Sequence, residues 1–392
     1  MIASTDAKGR RITYEYDDLG NTVKTAYPDG TCETFDYDAN DNNTSATDRS
    51  GQTVQMEYDK LNRLTKKTYA DGTSETYTYD AAGNVTSVTG TGGGKTTYAY
   101  DCRGRNTSVT DALGNTTVFA YDEASRLVSQ TDALGGVTSY EYDDNGNVTK
   151  TTYADGNSVT AKYDARSRIT EQKDQNGSKT EYAYDGADRL AGVTDADGGT
   201  YTYGYDGNGN LATVTDALGN TTTYTYDAGG RVSTVKNALG GTASYVYDET
   251  GNVAKYTDCA GNVTTYVYDD MDRLTEKNVS GEKTSYTYSK AGLLTKVTDG
   301  MGTVSFSYDS YGRLTGKTDA AGNKLTYTYD KCGRLSSMDN GFGGTKYEYD
   351  IMDRVTRVID RNGQATVYEY DALGNRSAVC YPNGNVMTYT YD

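Results

Sequence analysis

The sequence predicts an all-β protein, a repetitive array of antiparallel β-hairpins laid side by side into a spiralling sheet. Three observations carry that reading. The dipeptide Tyr-Asp returns nineteen times, once as Tyr-Ser, at steps of 20 or 21 residues. Its second residue falls at Asp17, Asp38, Asp59, Asp80 and each 21st position to Asp269, then at Ser289, Asp309, Asp330, Asp350, Asp371 and Asp392. Thirteen residues beyond almost every one stands a Gly, from Gly30 and Gly51 through Gly114 and Gly219 to Gly384. The residues between alternate Thr and Tyr with period two. A fixed period of this size marks one supersecondary unit stacked many times, its neighbours sharing a continuous core. No stretch lies outside the pattern, so residues 1–392 read as one continuous array with no separate domain.

Each element follows from the unit Lys60 to Asp80. The chain runs Arg63 to Tyr69, turns through Ala-Asp-Gly, and returns from Thr73 to Tyr79. On the return Tyr77 and Tyr79 share one face and Thr76 and Thr78 the other. Thr and Tyr are strand formers because branched and aromatic side chains pack on a pleated surface. Nothing has a period of 3.6, so the units are strand-turn-strand-turn, about two strands per repeat and some 37 in all. A parallel β-roll is the runner-up, and pairing of Arg63–Tyr69 with Thr73–Tyr79 decides between them.

The two turns carry the sharpest local signals. At Gly114 and Gly219 a position that accepts only Gly is explained by positive φ, where a Cβ clashes. Tyr27-Pro28-Asp29-Gly30 and Tyr381-Pro382-Asn383-Gly384 place the chain's two Pro where a type I turn wants them, ahead of the αL Gly of a bulged hairpin. The other turn follows Tyr-Asp. Its third residue is Gly at Gly83, Gly230 and nine other positions, and otherwise Asn62, Asp41, Asp188, Asp272, Asp353, Ser125 or Ser167. These residue types best tolerate αL. The Asp that opens this turn can accept a backbone N–H two residues on, and Ser289 can do so more weakly.

Composition narrows the function. Asp and Glu number 55 against 38 Lys and Arg, a net charge of −17 that repels phosphate backbones and argues against nucleic acid as partner. No apolar run nears the roughly 20 residues that span a bilayer, so membrane insertion is not expected. The start of the chain shows no basic n-region and apolar h-region of a signal peptide. Few Val, Leu, Ile and Phe with high charge resembles disorder, but 40 Tyr held in phase supply the apolar area. The five Cys occupy different phases and suggest neither a disulfide framework nor a metal site. With no His, nucleophile–His triads and His metal sites are excluded. The many Asp sit at turn phases where structure suffices, and Asp206-Gly207-Asn208-Gly209-Asn210 and Asp38-Ala39-Asn40-Asp41-Asn42 lack the later ligands of a calcium loop. No catalytic residue, metal or cofactor is expected. Nine positions stand as structural markers of the repeat: Tyr79, Asp80, Gly83, Gly114, Gly219, Tyr224, Tyr226, Asp227 and Gly230.

The motif seen in Tyr224-Thr225-Tyr226-Asp227-Ala228-Gly229-Gly230-Arg231-Val232 and Thr110-Asp111-Ala112-Leu113-Gly114-Asn115 resembles the RHS or YD repeat over the whole chain. The resemblance implies one hairpin per repeat in a sheet that spirals into a hollow shell or cocoon. Bacterial members resemble secreted or surface polymorphic toxins, and the animal relatives are teneurins. The implied function is a non-enzymatic shell segment of a larger secreted or cell-surface protein. Its partners would be the remainder of that protein and a C-terminal effector cargo. No Asp-Pro dipeptide is present, hence no match to the family's self-cleavage segment, and the chain reads as an internal section of a larger protein or an incomplete gene product. The alternative is an adhesive module whose Tyr ladders stack on sugar rings, with cell-surface glycans as partners.

Overall fold

The computed structural model describes residues 2–391; Met1 and Asp392, the last Asp of the series, lie outside the described residues. The chain forms 38 strands of one sheet, and every recorded pairing joins consecutive strands antiparallel. Leu64–Thr68 pairs with Ser74–Tyr79 in the register Lys66↔Thr76, Lys67↔Glu75 and Thr68↔Ser74. This is the hairpin, not the β-roll. Both strands are shorter than the sequence suggests. Tyr69 and Thr73 instead close the turn, with Tyr69 N–H donating to the Thr73 carbonyl at 2.9 Å.

By internal contacts the residues fall into two units, Met1–Thr117 with Val267–Asp392, and Val118–Tyr266. The second unit is the more regular. Its strand Thr221–Tyr226 pairs forward with Val232–Lys236 (Tyr224↔Val235, Thr225↔Thr234), then slips one residue to Tyr226↔Val232. That slip is a β-bulge that leaves Ser233 outside the ladder register, its hydroxyl 2.8 Å from that of Thr225, and sharpens the local twist. It recurs at the Tyr of Tyr79-Asp80 in the first unit.

The core is thin. Among the described residues Ala243, Ala378 and Val379 are the buried apolar ones, and no large side chain is fully buried. Most Tyr, including Tyr79, Tyr224 and Tyr226, are half-buried. The backbone ladder and the turns therefore carry much of what a globular core carries elsewhere.

Candidate functional site: turn clasps and a seam

Each Tyr-Asp turn is closed first by backbone. Asp227 N–H donates to the Arg231 carbonyl at 2.8 Å and Gly230 N–H to the Asp227 carbonyl at 3.0 Å. Gly230 has a φ of 74° and Gly83 of 97°, both left-handed. The Asp carboxylate then caps the loop. Oδ1 of Asp227 accepts the N–H of Gly229 at 2.9 Å and of Arg231 at 3.0 Å, while Oδ2 accepts Arg231 Nε at 2.8 Å. In the Asp80 turn Asn84 fills the same place, its backbone N–H and its side-chain amide each 2.9 Å from the carboxylate. These bonds, led by the Arg231 side chain, hold the Asp227 carboxyl below its ordinary value. At Asp80 the Asn84 amide leads the same lowering. We call this arrangement a clasp.

Sequence reasoning placed the Asp but missed its partner. The residue four positions on is Asn or Arg in every unit except one, a signal visible in the sequence. The clasp also couples repeats. Arg63 donates through Nη1 to the Asp80 carbonyl at 3.0 Å and lays its guanidinium 4.6 Å from the Tyr79 ring centroid. Arg231 does the same to Asp248 and Tyr247. The Tyr hydroxyl completes the lock: Tyr79 donates to the Leu64 carbonyl at 2.6 Å and Tyr226 to that of Leu211 at 2.7 Å. Tyr224 sits opposite Val235 on the neighbouring strand.

The left-handed position explains a further sequence pattern. At Asp41, Asn62, Ser167, Asp188 and Asp353, where it is not Gly, its side chain takes a hydrogen bond from the previous repeat. Asn21 donates to Asp41, Asn42 to Asn62, Asn147 to Ser167 and Arg334 to Asp353, at 2.7–3.1 Å. That bond offsets the roughly 1 kcal/mol cost of αL for a residue with a Cβ. The hairpin-turn glycines, Gly114 at φ 88° and Gly219 at φ 83°, have open space where a Cβ would point. Backbone conformation alone selects Gly there.

Within the unit of Met1–Thr117 and Val267–Asp392 the hairpin turns of early repeats fit against Tyr-Asp turns of late ones. Arg10 reaches across 262 residues of sequence to the Asp272 carboxylate (Nη2 to Oδ2 2.7 Å) and donates to the Asp269 carbonyl at 3.3 Å. Further along this seam a Cβ on Gly94 would stand 2.9 Å from the Ile351 carbonyl, and one on Gly92 3.7 Å from Cys332 Sγ. The close approach accounts for Gly94, whereas Gly93 is required locally by its left-handed φ of 82°. Between these points an open cavity of about 800 Å³ lies along the seam beside Ser289. Among the described residues no set of three or more His, Cys, Asp or Glu is gathered as metal ligands, and the five cysteines are unpaired.

Hairpins in a fixed register, locked through turn clasps and closed along a seam, define a structural repeat wall. The sequence matches the teneurin YD-shell family over residues 1–138 and 217–345 and the RHS repeat over 121–158, 163–204 and 349–386. The chain belongs to the YD-shell family. Comparison with curated proteins returns no match. Among solved structures, TcdB2–TccC3 without its hypervariable C-terminal region superposes with a TM-score of 0.59 at 14% identity, over 94% of this chain and 25% of that one. Another TcdB2–TccC3 crystal structure and the Photorhabdus luminescens Tc holotoxin pore each give 0.47 at 15% identity, over 95% and 98% of this chain and 28% and 27% of theirs. The likeness to the first is one of fold. The chain spans about a quarter of the length of these structures.

Proposed function

We propose that this chain is a non-enzymatic wall segment of a larger secreted or cell-surface YD-shell protein, holding or presenting a C-terminal effector domain. The observation that carries the reading is the seam: turn edges more than 250 residues apart interlock, as the wall of a container requires and a free ribbon does not. The clasps support a structural role for the acidic residues, since the Asp227 carboxylate is spent on its own turn. The similar TcdB2–TccC3 complex has a hypervariable C-terminal region, and the cargo here would by analogy follow the shell. No helix among the described residues is long and apolar enough to cross a membrane.

The coding sequence around the chain tests this. An Asp-Pro segment downstream, followed by an unrelated domain that resists protease in the full-length protein, is the expected result. Repeats continuing into a wall anchor would overturn it. The glycan-binding alternative is disfavoured because the Tyr of most Tyr-Asp pairs, such as Tyr79, Tyr226 and Tyr329, commits its hydroxyl to a backbone carbonyl and is held within the wall. Saturable sugar binding on a glycan array, lost in Tyr224→Ala, would restore that alternative.

A further inference from the structure

We propose that the seam cavity beside Ser289 is a receptor for an arginine side chain presented by another polypeptide. The argument is independent of whether the shell carries a cargo. Its template is the chain itself. In nine repeats an Arg four residues after the turn Asp lays its guanidinium 4.3–5.1 Å from the ring centroid of the next repeat's Tyr. In seven others the place is taken by Asn. One repeat alone changes both halves of the clasp, to Ser289 and Leu293, and the open seam cavity of about 800 Å³ lies there.

The ring that would receive the guanidinium is in place. Tyr308 donates its hydroxyl to the Leu294 carbonyl at 2.8 Å, as Tyr329 does to Leu314 at 2.7 Å in the following repeat, where Arg313 stacks on it. Leu293 replaces only the aliphatic stem. Its Cδ atoms approach Gly312 as the Arg313 Nη1 approaches Gly333, each 3.5 Å from where a Cβ would stand. Phe306 extends the aromatic lining, and at its edge Tyr311 already carries the Arg313 guanidinium 4.9 Å from its ring centroid.

Carboxylates complete the site. Glu33 accepts the Tyr27 hydroxyl at 2.8 Å, and Asp48 accepts the N–H groups of Ser50 and Gln52 at 2.8 and 2.9 Å. No ion pair is recorded for either among the described residues. Of the neighbouring cations, Arg49 is drawn away to Asp29 at 2.6 Å and stacks on Tyr27, Arg313 is held by Asp309 at 2.7 Å, and Lys290 stands exposed at the rim. Aromatic rings and unneutralised carboxylates are the complement of a guanidinium, which stacks through its plane and donates in its plane. Arg10 shows that a turn of this array accepts a guanidinium delivered from across the seam.

Titration of the protein with N-acetyl-arginine amide, followed by the ring resonances of Tyr308, tests the proposal. The expected result is saturable binding, with the uncharged isostere N-acetyl-citrulline amide roughly tenfold weaker. Ser289→Asp combined with Leu293→Arg rebuilds the regular clasp and puts the chain's own guanidinium over Tyr308. It should abolish binding while raising amide protection in the 289–293 turn, which shows that the variant is folded. Equal binding of the citrulline amide, undiminished binding to the double variant, or no saturable shift would each overturn the proposal.

Discussion

The turns Asp227–Arg231 and Ser289–Leu293 occupy the same phase of the repeat and differ at both ends of the clasp. Their backbones are nearly identical. Ser289 N–H meets the Leu293 carbonyl at 2.8 Å and Gly292 N–H the Ser289 carbonyl at 3.0 Å, the values of the Asp227 turn. Gly292 has φ 84° against 74° for Gly230. Ser289 Oγ accepts one N–H, from Leu293 at 3.2 Å, where Asp227 accepts two and an Arg besides. The carboxylate is therefore not what bends the chain. Backbone bonds and a left-handed glycine make the turn; Asp and Arg add charge and tie it to the next repeat.

Acid should separate the two turns most, because it reaches many Asp clasps at once. The folded Asp227 carboxyl is lowered from an ordinary 3.8, so the unfolded chain takes up protons first as pH falls. The clasp's contribution is full above about 4 and is lost as pH drops through the folded value. Protection factors of the Gly229 and Arg231 amides should fall over that range, while the Leu293 amide, facing a hydroxyl, changes little. Parallel loss at both turns would break the comparison.

Glycine substitutions should hit both turns alike. Gly230→Val and Gly292→Val force a branched side chain into αL, each costing about 1–2 kcal/mol of local stability. Gly230→Asn should cost far less, since Asn62 holds the same position at φ 60°. Local hydrogen exchange reads this directly, and an unchanged Gly230→Val would refute the positive-φ account. Tyr226→Phe and Tyr308→Phe each remove one hydroxyl bond to a carbonyl and should cost about 1 kcal/mol in the adjacent hairpin. The smallest effect belongs to Arg231→Ala, about 0.5 kcal/mol from stacking on Tyr247, seen as faster exchange in the following turn.

Much of this was legible in the residues because it is local. The period, the hairpin and the choice of residues at left-handed positions follow from steric limits on a few consecutive residues, as at Gly219 and Asn62. The clasp was half legible: Asp227 marked the turn and Arg or Asn four residues later belonged to the motif, but nothing in the sequence said that this residue binds the Asp carboxylate. The bulge at Tyr226 was not legible, since it depends on pairing with Val232 across the turn. The seam left one trace, Gly94 in the glycine-rich turn Gly90–Gly94. No periodic signal encodes which distant turn will face them, so Ile351 and Cys332 emerge only from the structure.

Pairing between sequence neighbours also sets how such a chain can be made. A hairpin closes in about 1–10 μs, whereas synthesis at about 5–20 residues per second delivers a new repeat only every few seconds. Each repeat thus has ample time to zip onto its predecessor before the next exists, and contact order within the growing array stays low. The Arg10 bond to Asp272, spanning 262 residues, must wait until that later turn emerges. Chains stopped at Asp143 should already protect the amides of their early hairpins while Arg10 remains open to solvent. Assembly would then be vectorial, with closure along the seam as its late step.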